Sequence, residues 1–70
     1  MDFIAAVSTA TKHMGNADKA AELGEHELAA RNAQLARDAV QRAIDAVAGD
    51  APELADEQRE ILAKFNARHP

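Results

Sequence analysis

The chain holds no cysteine, no tryptophan and no tyrosine, and only three glycines, two prolines and two phenylalanines among 70 residues. Each shortage removes a class of answers. Without cysteine there is neither a disulfide framework nor a thiolate metal site. With few aromatic and β-branched side chains, strands are poorly supplied. Scattered single glycines leave no Gly-rich loop to cradle a phosphate. No apolar run approaches the roughly 20 residues of a membrane span. The opening "MDFIAAVSTATKH" carries an acid where a secretory leader needs a basic region, and its apolar stretch is short. A cytoplasmic protein is the expectation. Cations are also few. The net charge is −4 and the pI about 5.2, with eight lysines and arginines dispersed among twelve acids. A nucleic-acid binder needs cations gathered on one face.

What is abundant is alanine, about a quarter of all residues. Alanine, leucine, glutamate, glutamine and arginine are strong helix formers, so the fold class is all-α. The hydrophobic fraction of 47% therefore overstates the core. The larger apolar side chains are Met1, Phe3, Ile4, Val7, Met14, Leu23, Leu28, Leu35, Val40, Ile44, Val47, Leu54, Ile61, Leu62 and Phe65. In so short a chain the apolar area buried roughly balances an ordering cost of about 1.5 kcal/mol per residue. With disulfides excluded, association with another chain is the natural extra source of stability.

Periodicity divides the chain, read as one small domain over residues 1–70, into an antiparallel three-helix bundle with helices at about 2–23, 26–48 and 51–67. In the first segment Phe3, Val7, Ala10, Met14, Ala17 and Ala21 recur at spacings of four and three, with Ile4 and Thr11 on the flank and Asp2 as N-cap. The stripe runs through Gly15 unbroken. The alternative is a break at Gly15–Asn16, where Asn16 has capping chemistry. Beyond Gly24, a continuous rod would put Glu22, Glu25 and His26 on its buried side, and unpaired buried charge costs several kcal/mol. Gly24 is therefore a turn. The second helix has an apolar stripe covering about half its circumference, wide enough for two neighbours. Glu27 with Arg31 and Asp38 with Arg42 stand at favourable i, i+4 spacing on its outer side. In "AVAGDAPEL", Gly49 reads as the stop, and Asp50 with Glu53 as a capping box ahead of the third helix. Leu54, Ile61, Leu62 and Phe65 form that helix's stripe, with Glu60 and Lys64 paired outside.

Gly24, Glu25, Ala29, Ala33 and Ala36 stand where a tetratricopeptide repeat places its turn, the acid after it and the small residues of its second helix. The stretch "LGEHELAARNAQLA" resembles that family over roughly twenty residues, although its large aromatic positions are empty and Gln41 stands near the place of its terminating proline. The resemblance implies a protein-binding helical hairpin without chemistry.

Catalytic groups are not assembled. Ser8 has no histidine at a helical spacing that would reach it, and the Thr9, Thr11 and His13 neighbourhood reads as ordinary helix face. Glu22, Glu25, His26 and Glu27 are the one local group of metal-ligand types. Glu22 and His26 could share a divalent ion, but charges at a turn ordinarily meet water. No catalytic residue, metal site or cofactor is assigned. His13 and His69 are expected at the surface. Asn32, in the apolar stripe between Leu28 and Leu35, could fix a register or bond a neighbouring helix.

The expected function is a small non-enzymatic protein–protein interaction module. It would self-associate or dock on a larger partner through Leu28, Asn32, Leu35, Val40, Ile44 and Val47 of the second helix. The alternative class is a small inhibitor or regulator of one target protein, similar to antitoxins or phage-encoded proteins. Neither nucleic acid nor membrane is expected as a partner. A helix-turn-helix at Gly24 fails because the second helix opens with acids where a recognition helix needs cations.

Overall fold

A computed structural model describes residues 2–70. Met1, counted above among the larger apolar side chains, lies outside them. Three helices follow one another, α1 (Phe3–Glu22), α2 (His26–Val47) and α3 (Pro52–Arg68), in an up-down-up antiparallel bundle. The Asp2 carboxylate accepts the Ala5 N–H at 2.7 Å and caps α1, supplying one of the acceptors a helix start lacks. The helix then continues through Gly15 without a break.

The first turn sits at Gly24, which takes a positive φ of 75°. There the Glu25 N–H reaches back to the Ala20 carbonyl at 2.9 Å and the Gly24 N–H to that of Ala21 at 3.1 Å. These are the two bonds of a Schellman stop, which needs the left-handed residue glycine adopts without strain. The two glycines therefore respond to alanine with opposite sign. Gly15→Ala, in a helix interior with open space around the new methyl, is expected to stabilise by about 1 kcal/mol. Gly24→Ala meets equally open space, yet should destabilise by roughly 1–2 kcal/mol because its backbone is left-handed. Urea titrations of both variants check the pair.

The second turn departs from its expected chemistry. Gly49 is not left-handed. The chain leaves α2 instead through Asp50 and Ala51, whose N–H groups both donate to the Val47 carbonyl, at 3.1 and 2.7 Å. No capping box forms, and Ala51 (φ −139°, ψ 74°) occupies the N-cap of α3 without a side-chain bond. Proline explains the shift. Pro52 takes the first helical position, where its fixed φ and missing N–H cost nothing, and it bars the residue before it from helical geometry. Asp50 is thereby left one residue too early to cap.

Alanines dominate the α1–α2 seam. Ala6, Ala10, Ala17 and Ala20 of α1 and Ala29, Ala33, Ala36, Ala39 and Ala43 of α2 are all buried. The seam on α1 is rotated from the expected stripe: Ala6 and Ala20 are inside, Val7 is half-buried, and Ala21 faces solvent with Ile4, which is 80% exposed. Short side chains let two helices approach closely, and bulkier ones are displaced to the edges of the contact. Phe3 and Met14 instead fill the space toward α3.

α3 packs chiefly on α2 and closes one face of the hairpin. Phe65 is fully buried among Ala17, Ala33, Ala36 and Met14, and Ala55, Leu54 and Leu62 join Ala10, Val40, Ile44 and Val47. The buried line of α3 is Ala55, Gln58 and Phe65, with Leu62 half-buried. Ile61, assigned to the stripe, is 41% exposed, because a line at spacings of three and four through 55, 58, 62 and 65 passes beside it. The Glu60–Lys64 pair is present at 3.5 Å. The result is a slab of 40 × 21 × 12 Å. One face of the α1–α2 hairpin is covered by α3, and the other is open.

Candidate interaction surface

The open face is built from the sides of α1 and α2 that α3 does not reach. Leu23, beside the Gly24 turn, is 62% exposed, and Leu28 and Leu35 of α2 are 43% and 42% exposed. Leu28 and Leu35 are seven residues apart, two helical turns, and therefore share one face. Between the helices runs a shallow groove of about 300 Å³, lined by Asn16, Lys19, Ala20, Leu23, Glu25, Leu28 and Asn32. A wider depression of about 570 Å³ opens at the first turn of α2 around Glu25, His26, Glu27, Leu28 and Arg31. It is the larger of the two, but charged rim residues make most of its lining. In the groove Leu23 and Leu28 stand beside Ala20 among the polar side chains of Asn16, Lys19, Glu25 and Asn32, the mixture of apolar centre and polar rim that a binding surface presents.

Six residues of α2 are the expected contact set, and the fold divides them. Leu28, Asn32 and Leu35 lie on the open face. Val40, Ile44 and Val47 do not: all three are buried in the chain's own core, against Ala10 of α1 and Ala55 of α3. The broad stripe of α2 does have two neighbours, but both belong to this chain. Asn32 is half-buried, and its side-chain amide donates to the Leu28 carbonyl of its own helix at 3.0 Å. It neither bonds a second helix nor fixes a register between helices in this chain. Neither Glu27–Arg31 nor Asp38–Arg42 forms. Asp38 instead accepts from the Gln34 side chain at 2.9 Å.

A second polar assembly, unanticipated from sequence, ties the end of α3 to both other helices. His69 Nε2 donates to the Asp18 carboxylate at 2.7 Å, and Arg68 approaches the same carboxylate at 3.4 Å. From α2, Arg37 donates through Nε to the Asn66 side chain at 2.8 Å and through Nη2 to the His69 carbonyl. Phe65 lies beneath, with the His69 ring centroid 4.6 Å from its own and the Arg37 and Arg68 guanidiniums 5.8 and 5.3 Å away. His69, expected at the surface, is nearly enclosed, because the aromatic platform under it removes water from one side of the ring. His13, also expected there, is half-buried, and its Nδ1 is enclosed without a partner. His13 continues the spacing of Phe3, Ala6, Ala10, Ala17 and Ala20, a signal present in the sequence once the seam is placed on the alanines.

The hydrogen bond from His69, with Arg68 adding to it, holds the Asp18 carboxyl below its ordinary value of 3.8. An acid whose pKa is lowered on folding stabilises the fold above the unfolded value, and the contribution vanishes as pH falls through the lowered one. The Asp18 contribution is therefore complete above 3.8 and lost below it. Asp18 is 44% exposed, so the contribution is that of a screened surface pair. Thermal unfolding should show wild type more stable than Asp18→Asn at pH 6 and the difference shrinking below pH about 4.

Among the described residues, no three histidine, aspartate or glutamate side chains converge as metal ligands. Glu22, Glu25, His26 and Glu27 are exposed around the turn. No helix is long and apolar enough to cross a membrane. Comparison with protein-family models, curated proteins and solved structures returns no match for this chain.

Proposed function

We propose that this chain is a small, non-enzymatic helical module of the cytoplasm that works by docking its α2 face on another protein surface. One observation carries the reading: Leu28 and Leu35 are exposed on the face of the hairpin opposite α3, while Val40, Ile44 and Phe65 on the other side are enclosed. Val40, Ile44 and Phe65 are buried by the chain's own helices, and Leu28 and Leu35 stand outside that core. Paired leucines beside a groove with a polar rim match the anatomy of a helix-mediated contact. The resemblance of the hairpin around Gly24 to a tetratricopeptide unit supports the same reading.

The test is site-specific photo-cross-linking in the native cell. A cross-linking side chain at position 35 is expected to give a discrete adduct, and the same group at the exposed Glu57 of α3 is not. Adducts of equal yield from both positions, or from neither, would sink the docking surface.

A further inference from the structure

We infer that the partner on this face is a second copy of the same chain, with the two α2 helices antiparallel about a twofold axis passing midway between Gln34 and Leu35. The inference rests on the docking reading above and names its occupant. Along the outer edge of α2 stand four charges in the order Glu27, Arg31, Asp38, Arg42. At 100° per residue they fall within roughly 60° of arc, with Leu28 and Leu35 immediately beside it. All four are exposed. None forms an ion pair within the described residues, where the ion pairs involve Asp56, Arg59, Glu60, Lys64, Asp18, Arg68 and His69.

The order of these charges is complementary to its own reverse. Turning a second α2 end over end about that axis sets position 27 opposite 42 and position 31 opposite 38. Each acid then faces a base. The same rotation brings Leu35 beside its symmetry mate and lays Leu28 along the aliphatic stem of the other Arg42, which can cover apolar surface while its guanidinium stays at the rim. A parallel copy in register would put every charge against its like. Lys12 and Lys19 are exposed on α1, Lys19 in the lining of the groove beside α2, and the charge order along α2 is self-complementary without them. An isologous contact of this kind uses one patch twice, and a self-complementary charge order is what such symmetry requires.

The full chain is tested by sedimentation equilibrium at low ionic strength, with circular dichroism confirming unchanged helix content in each variant. Wild type is expected to dimerise reversibly. Arg31→Asp and Asp38→Arg each place like charges together at two symmetry-related points, and each should weaken the dimer about tenfold or more. Two rescues should follow: the double variant R31D/D38R regains the dimer, and an equimolar mixture of the two single variants forms a heterodimer. Singles that dimerise like wild type, or a mixture that stays monomeric while wild type dimerises, overturn the antiparallel arrangement. A wild type monomeric at every concentration overturns the second copy altogether. In that case an adduct from position 35 to a different protein leaves the docking reading standing, and absence of any adduct removes both.

Discussion

Phe65→Ala is expected to cost about 3–5 kcal/mol, the usual range for truncating a fully buried phenylalanine. Phe65 has no exposed surface and fills the hollow left by Ala17, Ala33 and Ala36. The three alanines are too short to collapse into the space it would vacate, which leaves Met14 to fill part of it, so a substantial cavity term should remain. The same ring is the platform for His69 and lies beside Arg37 and Arg68. Its removal should therefore also loosen the Asp18 and Arg37 bonds that hold the end of α3. A domain of this size has only a few kcal/mol in hand, so the variant should be largely unfolded at 37 °C, or retain an α1–α2 hairpin with α3 detached. Urea denaturation followed by circular dichroism measures the loss. A loss under about 1 kcal/mol, below the range for such a truncation, would show that Phe65 does not anchor α3.

The second large effect comes from adding volume. Ala36→Leu should destabilise by about 1–3 kcal/mol or more, because a well-packed contact accepts added methylenes only by moving backbone. Ala36 is fully buried in the seam between α1 and α2, with Ala33 and Ala39 close by and equally enclosed. A leucine there must wedge the helices apart or turn into the volume held by Phe65. Ala30→Leu is the matched control: it is on the same helix but exposed, and should be nearly neutral. At roughly 4–8 °C in Tm per kcal/mol for a domain of this size, scanning calorimetry separates the two variants easily. Equal melting temperatures would mean that the seam is not close-packed.

Much of the architecture was legible in the residues. The helical class followed from composition, and the Gly24 turn followed from the cost of burying Glu22, Glu25 and His26. Asp2 was readable as a cap, and Gly15 as a passenger within a continuous stripe. Each of these depends on local energetics within a few residues, which periodicity and capping chemistry report directly. The second turn was misread for an equally local reason, since the restriction that Pro52 places on Ala51 outweighs the capping preference of Asp50.

Legibility failed where burial depends on which neighbour arrives. An apolar stripe on α2 announces two contacts but not whose they are. Val40, Ile44 and Val47 look the same in sequence as Leu28 and Leu35, yet α3 covers the first three and leaves the other two in water. The seam of α1 could not be placed either, because weighting large side chains points to Val7 while close approach selects Ala6. Asp18, Arg37, Asn66 and His69 are separated by up to 51 residues, and no spacing rule joins them.

By itself, the order of residues determined three helices, one left-handed glycine turn and the self-complementary charges along α2, all properties of a chain segment and its immediate neighbours. The tertiary structure alone decided that α3 covers one side of the hairpin, that His69 and Asp18 meet, and that Leu28 and Leu35 remain outside. The reason is physical. Helix formation is governed by interactions within about one turn, whereas exposure is the difference between a residue's own surface and whatever the rest of the chain lays over it.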